Sequence, residues 1–417
     1  MITNNSKYRN AKEIKKALDD YVLGQEQGTQ MIAMAIAQHI QQIDHRKYFN
    51  SHYSQTDNIL VVGPTGCGKT EMIRRLQSLE LQFGFPIVMI NTLDFAPTQS
   101  WQGTCITTIF SQIIEKAGVI YDATNDGKAC VAEQKESIIE IANNAVIILD
   151  EFDKISIKGE GKSRTFLEEY QSNLLKIIEG NSYKAGSFER VKTNFDGTEE
   201  EEMTIDDVFV DTTHMMFIMI GAFDGLETIT RYRLQKKEPS PYYQDTHIGF
   251  VTDPKTTEKP KAEEFTYEQL IPSQEDIINY GIMRELVGRI PIRTVFKPLS
   301  EDALINIMLN SKTSAYRQWQ GRFEENGFRL YCDRSALREI ARIAEQRATG
   351  ARGLMTIFSE LLVQTQYELS GDDRHIHCLL RGKEIRDGKP PLLHDRTPHL
   401  QKIIEQTKKK FLKKQNL

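Results

Sequence analysis

The sequence predicts an α/β protein: a large domain built on a parallel sheet flanked by helices, then a small, mostly helical C-terminal domain. Three observations carry this prediction. Apolar, β-prone runs at residues 59–62, 87–90, 146–149 and 215–220 alternate with helical patterns, as expected of parallel strands covered by helices. The segment Gly63-Pro64-Thr65-Gly66-Cys67-Gly68-Lys69-Thr70 matches G-x-x-x-x-G-K-[ST] at every position. It follows the first apolar run, Ile59-Leu60-Val61-Val62, which is the context that the pattern requires. After Pro298 helical stripes take over.

In chain order, Ile14, Leu18 and Tyr21 fit one helical face, and Ile32, Ile36, Ile40 and Ile43 form the stripe of a second helix. Between them lies Tyr21-Val22-Leu23-Gly24-Gln25. Residues 153–165 are polar and glycine-bearing and read as a loop, after which Leu174, Leu175 and Ile178 resume a helix. Residues 186–207 carry the run Glu199-Glu200-Glu201-Glu202 and read as an exposed hairpin or loop. Residues 236–260 hold four of the 13 prolines and little helical periodicity, with the apolar triplet Ile248-Gly249-Phe250 in polar surroundings. Such a long irregular stretch is either disordered or functional. Further on, Ser300 is a candidate N-cap for a helix carrying Leu304, Ile307 and Met308, and Asp333 for one carrying Leu337, Ile340, Ala341 and Ala344. Thr349-Gly350-Ala351-Arg352 opens a third, with Leu354, Ile357, Phe358 and Leu361. The boundaries that follow are 1–298, 299–385 and a polar, basic tail over 386–417.

The chemistry is concentrated in two segments. In the glycine-bearing loop, backbone N–H groups can turn inward and cradle a polyphosphate. Lys69 can reach the β and γ oxygens, the Thr70 hydroxyl can coordinate Mg²⁺, and the following helix points its positive end at the phosphates. The second segment is Val146-Ile147-Ile148-Leu149-Asp150-Glu151, a buried strand with two carboxylates at its C-terminal end. In a parallel sheet that end faces the ligand. Asp150 is expected to hold Mg²⁺ through water, and Glu151 to orient and polarise the attacking water. The expected activity is binding and hydrolysis of a nucleoside triphosphate.

Composition sets the limits. The chain has 417 residues, 39% hydrophobic and 27% charged, with a net charge of −5. These values suit a soluble globular protein of two or three domains and do not suggest wholesale nucleic-acid or membrane binding. The N-terminal stretch is polar without an apolar core, so no secretory signal is expected and the expected location is the cytoplasm. The five cysteines, at 67, 105, 130, 332 and 378, show no C-x-x-C spacing and read as reduced thiols rather than a zinc or disulfide framework. Cys67 inside the loop reads as a bystander. His375 and His377 alternate on one face of a strand, RHIHCLL, which reads as a surface strand rather than a metal site.

A P-loop sheet domain followed by a small helical domain suggests the AAA+ class, and the individual motifs narrow it. The chain resembles the ClpX family of ATP-dependent protein unfoldases, which feed the ClpP peptidase, from about residue 11 to about residue 385. The resemblance rests on LDDYVLGQEQ, NILVVGPTGCGKT, ILDEFDKI, NLLKIIEG, IGAFDGLE, ELVGRIPI and TGARGL, in that order. It implies that Val22 and Leu23 contact adenine and that Arg289 is an arginine finger reaching the neighbouring subunit's nucleotide. It also makes Arg352 the sensor arginine of the small domain. A guanidinium near the γ-phosphate stabilises charge that develops in the transition state. The resemblance further implies ATP with Mg²⁺, a homo-hexameric ring, protein substrates and a ClpP-type partner. Neither a membrane nor a nucleic acid is an expected partner. Trp101 and Gln102, in Ser100-Trp101-Gln102-Gly103, fall where the family has a pore loop whose aromatic side chain grips the substrate. Ile248, Gly249 and Phe250 match the family's peptidase-docking triplet.

The chain also departs from the family pattern. Serine, tryptophan and glutamine replace glycine, tyrosine and valine in the pore-loop motif. No N-terminal four-cysteine zinc domain precedes the ATPase motifs, so no zinc is expected. The acidic run over 199–202 stands where family members often have a basic loop, and no polar sensor is evident in Met219-Ile220-Gly221. Two rival readings stay open from sequence: a remodeller that works without a peptidase, and a nucleic-acid AAA+ motor.

Overall fold

The computed structural model describes residues 8–49, 57–92, 95–96, 104–124, 131–157, 162–192, 201–235, 266–267, 269–311, 313–370 and 376–395. Among them the strands are β1 (Ile59–Val62), β2 (Ile87–Asn91), β3 (Phe95–Ala96), β4 (Thr104–Cys105), β5 (Val146–Asp150), β6 (Ser182–Lys192), β7 (Glu201–Asp211), β8 (Met216–Gly221), β9 (Ile292–Val295), β10 (Arg329–Cys332), β11 (Ile376–Leu380) and β12 (Leu392–Asp395). The chain forms two compact units. One takes the described parts of 1–15, 27–64 and 73–296; the other takes those of 16–26, 65–72 and 297–417.

The first unit is built on a five-stranded sheet in the order β2-β5-β8-β1-β9, parallel throughout. Every residue of β1 and β8 is buried, as a strand covered on both faces requires. That is why the runs at 59–62, 146–149 and 215–220 read as unbroken apolar sequence, while β2, at the sheet edge, exposes Met89. Leu60, Ile147, Leu149, Phe217 and Met219 share one core with Phe110 and Ile113 of the helix Ile106–Thr124 and with Leu174 and Ile177 of the helix Lys162–Glu179. The chain leaves β1 for the far edge of the sheet at β2 and returns through β5 and β8 to pair beside β1. That reversal opens a crevice at the carboxyl ends of the central strands, the usual ligand position in open parallel sheets.

The fifth strand is absent from the expected set. β9 is an edge strand that reads Ile-Arg-Thr-Val, with only Thr294 buried, so it has no apolar run to betray it. The polar stretch 153–165 is not all loop. A 3₁₀ turn covers Phe152–Ile155, and the following helix starts at Lys162. Of residues 186–207, 186–192 lie in β6 and 201–207 in β7, two strands that pair antiparallel from Ser182↔Asp211 to Lys192↔Glu201 with register shifts around Gly186; residues 193–200 lie outside the described residues. Of the acidic run, Glu201 and Glu202 open β7, while Glu199 and Glu200 lie outside the described residues. Ile32, Ile36, Ile40 and Ile43 form the buried stripe of the helix Glu26–Phe49.

In the second unit the expected caps are present. Ser300 accepts a hydrogen bond from the Ala303 N–H (3.3 Å) and Asp333 from the Ala336 N–H (2.7 Å), which satisfies donors at each helix start. Leu304, Met308, Trp319, Phe323, Leu337, Ile340 and Phe358 pack into its core. A three-stranded sheet, β10-β11-β12, completes it. β12 falls inside the segment that reads as tail and pairs antiparallel with β11. His377 lies on β11 but is buried, 5.5 Å from the Tyr331 ring. The surface-strand reading of that residue is therefore corrected: the histidine is core, and His375 lies outside the described residues. Among the described residues no helix is long and apolar enough to cross a membrane.

Candidate active site

The phosphate loop begins by extending the sheet. Gly63 N–H donates to the Gly221 carbonyl (3.2 Å), continuing the pairing of β1 with β8. Pro64 and Thr65 turn the chain out. Gly66 and Gly68 then take φ values of +79° and +107°, a region that side-chain-bearing residues seldom adopt. A Cβ at Gly66 would strike the Thr349 carbonyl, and one at Gly68 would come within 3.2 Å of Val22. The positions must be glycine for both reasons. Both glycines leave backbone N–H groups of the loop uncovered by side chains of their own, which is what cradling a polyphosphate needs. Lys69 and Thr70 open the helix Lys69–Gln77, so a helix N-terminus faces the same cradle.

The loop belongs to the second compact unit, and that unit holds it firmly. The Gly66 carbonyl accepts from the Ala351 N–H (3.0 Å) at the start of the helix Gly350–Glu368. Gly350 is needed there because a Cβ would lie 2.7 Å from the Gly66 carbonyl oxygen. The TGARG motif is thus explained locally: its first glycine allows two backbones to approach, and Arg352 follows one residue after the contact, exposed. Val22 is buried and Leu23 half-buried. Cys67 is buried, and burial pushes its thiol pKa up despite Lys69 Nζ 3.9 Å from the sulfur. A protonated, enclosed thiol is unreactive, which supports the bystander reading.

In the first unit, Asp150 ends β5. Its Oδ1 accepts from the Glu151 N–H (2.9 Å), and its carbonyl accepts from Thr92 Oγ1 (2.5 Å). Tyr170 donates its hydroxyl to the Thr92 carbonyl. Glu151 is exposed with φ +55°, a backbone state that is uncommon outside glycine and clusters at functional sites. Asn91 Nδ2, at the end of β2, donates to Glu151 Oε2 (3.0 Å). Asn91 was not legible in the sequence, where it reads as the last residue of a strand. Its signal was present, however: a polar residue ending an apolar strand that pairs with β5, in the register Asn91↔Asp150.

Asp153 is the other residue missed. It is buried, and its Oδ1 accepts from the Ala222 N–H (3.3 Å) just past β8. The polar group at that strand end thus comes from the ILDEFDKI segment rather than from Met219 or Ile220, which are fully buried.

Arg289 caps the C-terminus of the helix Arg284–Gly288. Its Nη2 bonds Glu179 Oε1 at 2.7 Å, with the two side chains 38% and 40% exposed. Its backbone carbonyl accepts from the buried Asn58 Nδ2 (2.9 Å), so its place in the fold is fixed while its tip stays at the surface. Thr70 in the second unit and Asp150 in the first each carry side-chain oxygen of the kind Mg²⁺ takes as ligand. Trp101, Gln102, Ile248, Gly249 and Phe250 lie outside the described residues.

A family model, AAA domain (Cdc48 subfamily), matches residues 54–293. The ATP-dependent Clp protease ATP-binding subunit ClpX of Treponema denticola is 31% identical over 359 residues, covering 85% of this chain and 76% of that protein. The ATP-dependent Clp protease ATP-binding subunit ClpX 3 of Methylococcus capsulatus is 28% identical over 391 residues, covering 91% of this chain and 81% of that protein.

Proposed function

Because the chain belongs to the ClpX family of AAA ATPases, we propose that its ATPase activity drives unfolding and translocation of proteins in a homo-hexameric ring that serves a ClpP-type peptidase. The observation that carries this reading is the pinning of the phosphate loop. The Gly66 carbonyl accepts from Ala351, one residue before Arg352. The loop and the helix Gly350–Glu368 lie in the same unit, so a change of phosphate charge in the loop would act directly on that helix, as a motor requires.

Residue roles follow from the chemistry. The Gly66 to Gly68 backbone and Lys69 bind the β- and γ-phosphates, with Val22 and Leu23 against the base. Thr70 and Asp150 hold Mg²⁺, which when bound screens the phosphate charge. Glu151 takes a proton from the attacking water as it adds to phosphorus. Arg352 in the same chain and Arg289 from a neighbouring subunit stabilise the charge that develops on the γ-phosphoryl oxygens. Trp101 and Gln102 grip the substrate chain, and Ile248 and Phe250 dock the peptidase, with Gly249 between them. Native domains are stable by only about 5–15 kcal/mol, so repeated pulls can unravel them.

The test is ATP-dependent loss of fluorescence from a folded, tagged reporter, with and without the ClpP peptidase of the same cell. Unfolding with both, and degradation only with the peptidase, is the expected result. The double variant Ile248→Ser, Phe250→Ser should unfold but not degrade. Unfolding without any peptidase association would favour a stand-alone remodeller, and ATPase activity stimulated by DNA but not by unfolded protein would reject both.

A further inference from the structure

Gln25 is fully enclosed, with 2% of its surface exposed, yet it is polar and lies outside every motif role assigned so far. Its side chain is saturated. Nε2 donates to the Cys67 carbonyl (3.1 Å) and to the Lys297 carbonyl (2.8 Å), and Oε1 accepts from the Lys297 N–H (2.8 Å). The amide orientation is fixed by its partners, since two are pure acceptors and one a pure donor. All three residues belong to the second compact unit.

The consequence lies in the peptide between Cys67 and Gly68. That peptide is trans and planar, so its C=O and N–H point in opposite directions. Holding the carbonyl of Cys67 toward Gln25 therefore turns the Gly68 N–H away from it. Among the described residues no backbone carbonyl accepts from that N–H. Val22 closes over Gly68, whose φ of +107° lets the loop bend there. The second half of the Gln25 bonding reaches Lys297, clamping both backbone polar atoms of one residue.

We propose that Gln25 is a positioning residue of the phosphate loop, which aims the Gly68 N–H at the nucleotide's β-phosphate and joins that peptide to the Lys297 backbone in one hydrogen-bonded unit. Filling of the loop by phosphate then tightens the Lys297 segment, and loosening of Lys297 disorients the loop. This rests on nucleotide binding at the loop and not on the unfoldase reading.

The test compares AMP and ADP by competition against N-methylanthraniloyl-ADP on the full chain. Gln25→Met, close in size but unable to hydrogen-bond, should weaken ADP about tenfold, the effect of one well-placed hydrogen bond to a charged group. AMP, which lacks the β-phosphate, should change less than twofold. Equal weakening of both, as general loosening of the fold would give, overturns the assignment, as does unchanged ADP binding. If Gln25→Met does not fold, Gln25→Glu takes the same comparison: it still accepts from Lys297 but cannot donate to Cys67. A third readout uses the wild-type protein. Saturating ADP should slow amide hydrogen exchange both at Gly68 and at Lys297, and AMP should slow neither. Protection of Gly68 without protection of Lys297 overturns the link between them. A wild-type protein that binds neither nucleotide overturns the positioning role and the ATP-dependent reading together.

Discussion

In the proposed function Glu151 and Lys69 divide the work of hydrolysis and binding, and single substitutions should separate them. Glu151 is fixed by its left-handed backbone and by Asn91 rather than by burial, so Glu151→Gln keeps shape and loses basicity. It should bind ATP normally and hydrolyse it at least about a hundredfold more slowly, the scale of a lost general base. Lys69→Ala should instead weaken ATP binding itself; equilibrium binding measured beside steady-state turnover distinguishes the two. Normal turnover by Glu151→Gln would remove the assigned base. The proposed roles can be read from sequence because each motif spells out its chemistry, whereas the contacts of Asn91 and Gln25 are with partners far away in sequence. His39 is a residue of that second kind. It is buried, its Nε2–H donates to the Asn144 carbonyl (2.8 Å), its Nδ1 has no hydrogen-bond partner among the described residues, and the Phe85 ring lies edge-on 5.0 Å away. Burial first, then Arg46 and His214, hold its pKa at about 4 against an ordinary 6.5. The unfolded imidazole therefore takes up a proton first as pH falls. Stability present above 6.5 should be lost progressively toward 4, by about 2 kcal/mol at pH 5. Urea midpoints at pH 7.5 and 5 should show that drop, and His39→Leu should flatten it; an unchanged slope would contradict the assignment.

At the scale of elements, the sequence revealed those whose burial leaves a simple period. β1, β5 and β8 were legible within a residue at either end because a strand covered on both faces must be continuously apolar, and β2, although an edge strand with Met89 exposed, was legible because Ile87, Val88, Met89 and Ile90 are still an unbroken apolar run. β9 and β12 were not, because Arg293, Thr294 and His394 interrupt their apolar residues. The helix starts at Ser300 and Asp333 were legible from their caps. The start at Gly350 was also expected, at Thr349-Gly350-Ala351-Arg352, although it has no side-chain cap; the contact with the loop at Gly66 that accompanies it is what no local pattern reports. That contact gives a prediction. Gly66→Ala must hold a side chain at φ +79° and push its Cβ into the Thr349 carbonyl. Strain of this kind is about 1–3 kcal/mol, and relieving it means moving either the loop or the first turn of the helix Gly350–Glu368. ATP binding should fall about tenfold or more while the far-ultraviolet circular dichroism stays native. A variant with wild-type ATP affinity would show that the loop geometry does not depend on this close approach.

The whole molecule is where the arginine at position 289 has to be understood. Within one chain its guanidinium rests on Glu179, and both side chains are more than a third exposed. An exposed ion pair of this kind is worth about 0–1 kcal/mol, whereas an arginine finger supplies about 10³–10⁵ in rate. The contact with Glu179 is therefore too weak to withhold the arginine from a neighbouring subunit's γ-phosphate. Asn58 meanwhile fixes the backbone beneath it by donating to the Arg289 carbonyl. If Arg289 works in trans, then Arg289→Ala subunits should bind ATP with wild-type affinity and hydrolyse it hardly at all. Their own phosphate loops are intact, and Lys69→Ala subunits have the opposite defect. Mixing the two inactive proteins should regenerate hydrolysis wherever an Arg289 from a Lys69→Ala subunit meets an intact loop from an Arg289→Ala subunit. At equal amounts with random arrangement, about a quarter of interfaces qualify, so recovered activity should approach but not exceed about a quarter of wild type. A steady-state assay on mixtures, with subunit exchange verified by fluorescence transfer between labelled chains, gives the answer. No recovery in rings shown to be mixed would place Arg289 in its own subunit's site, and full activity of an isolated monomer would remove the need for a ring.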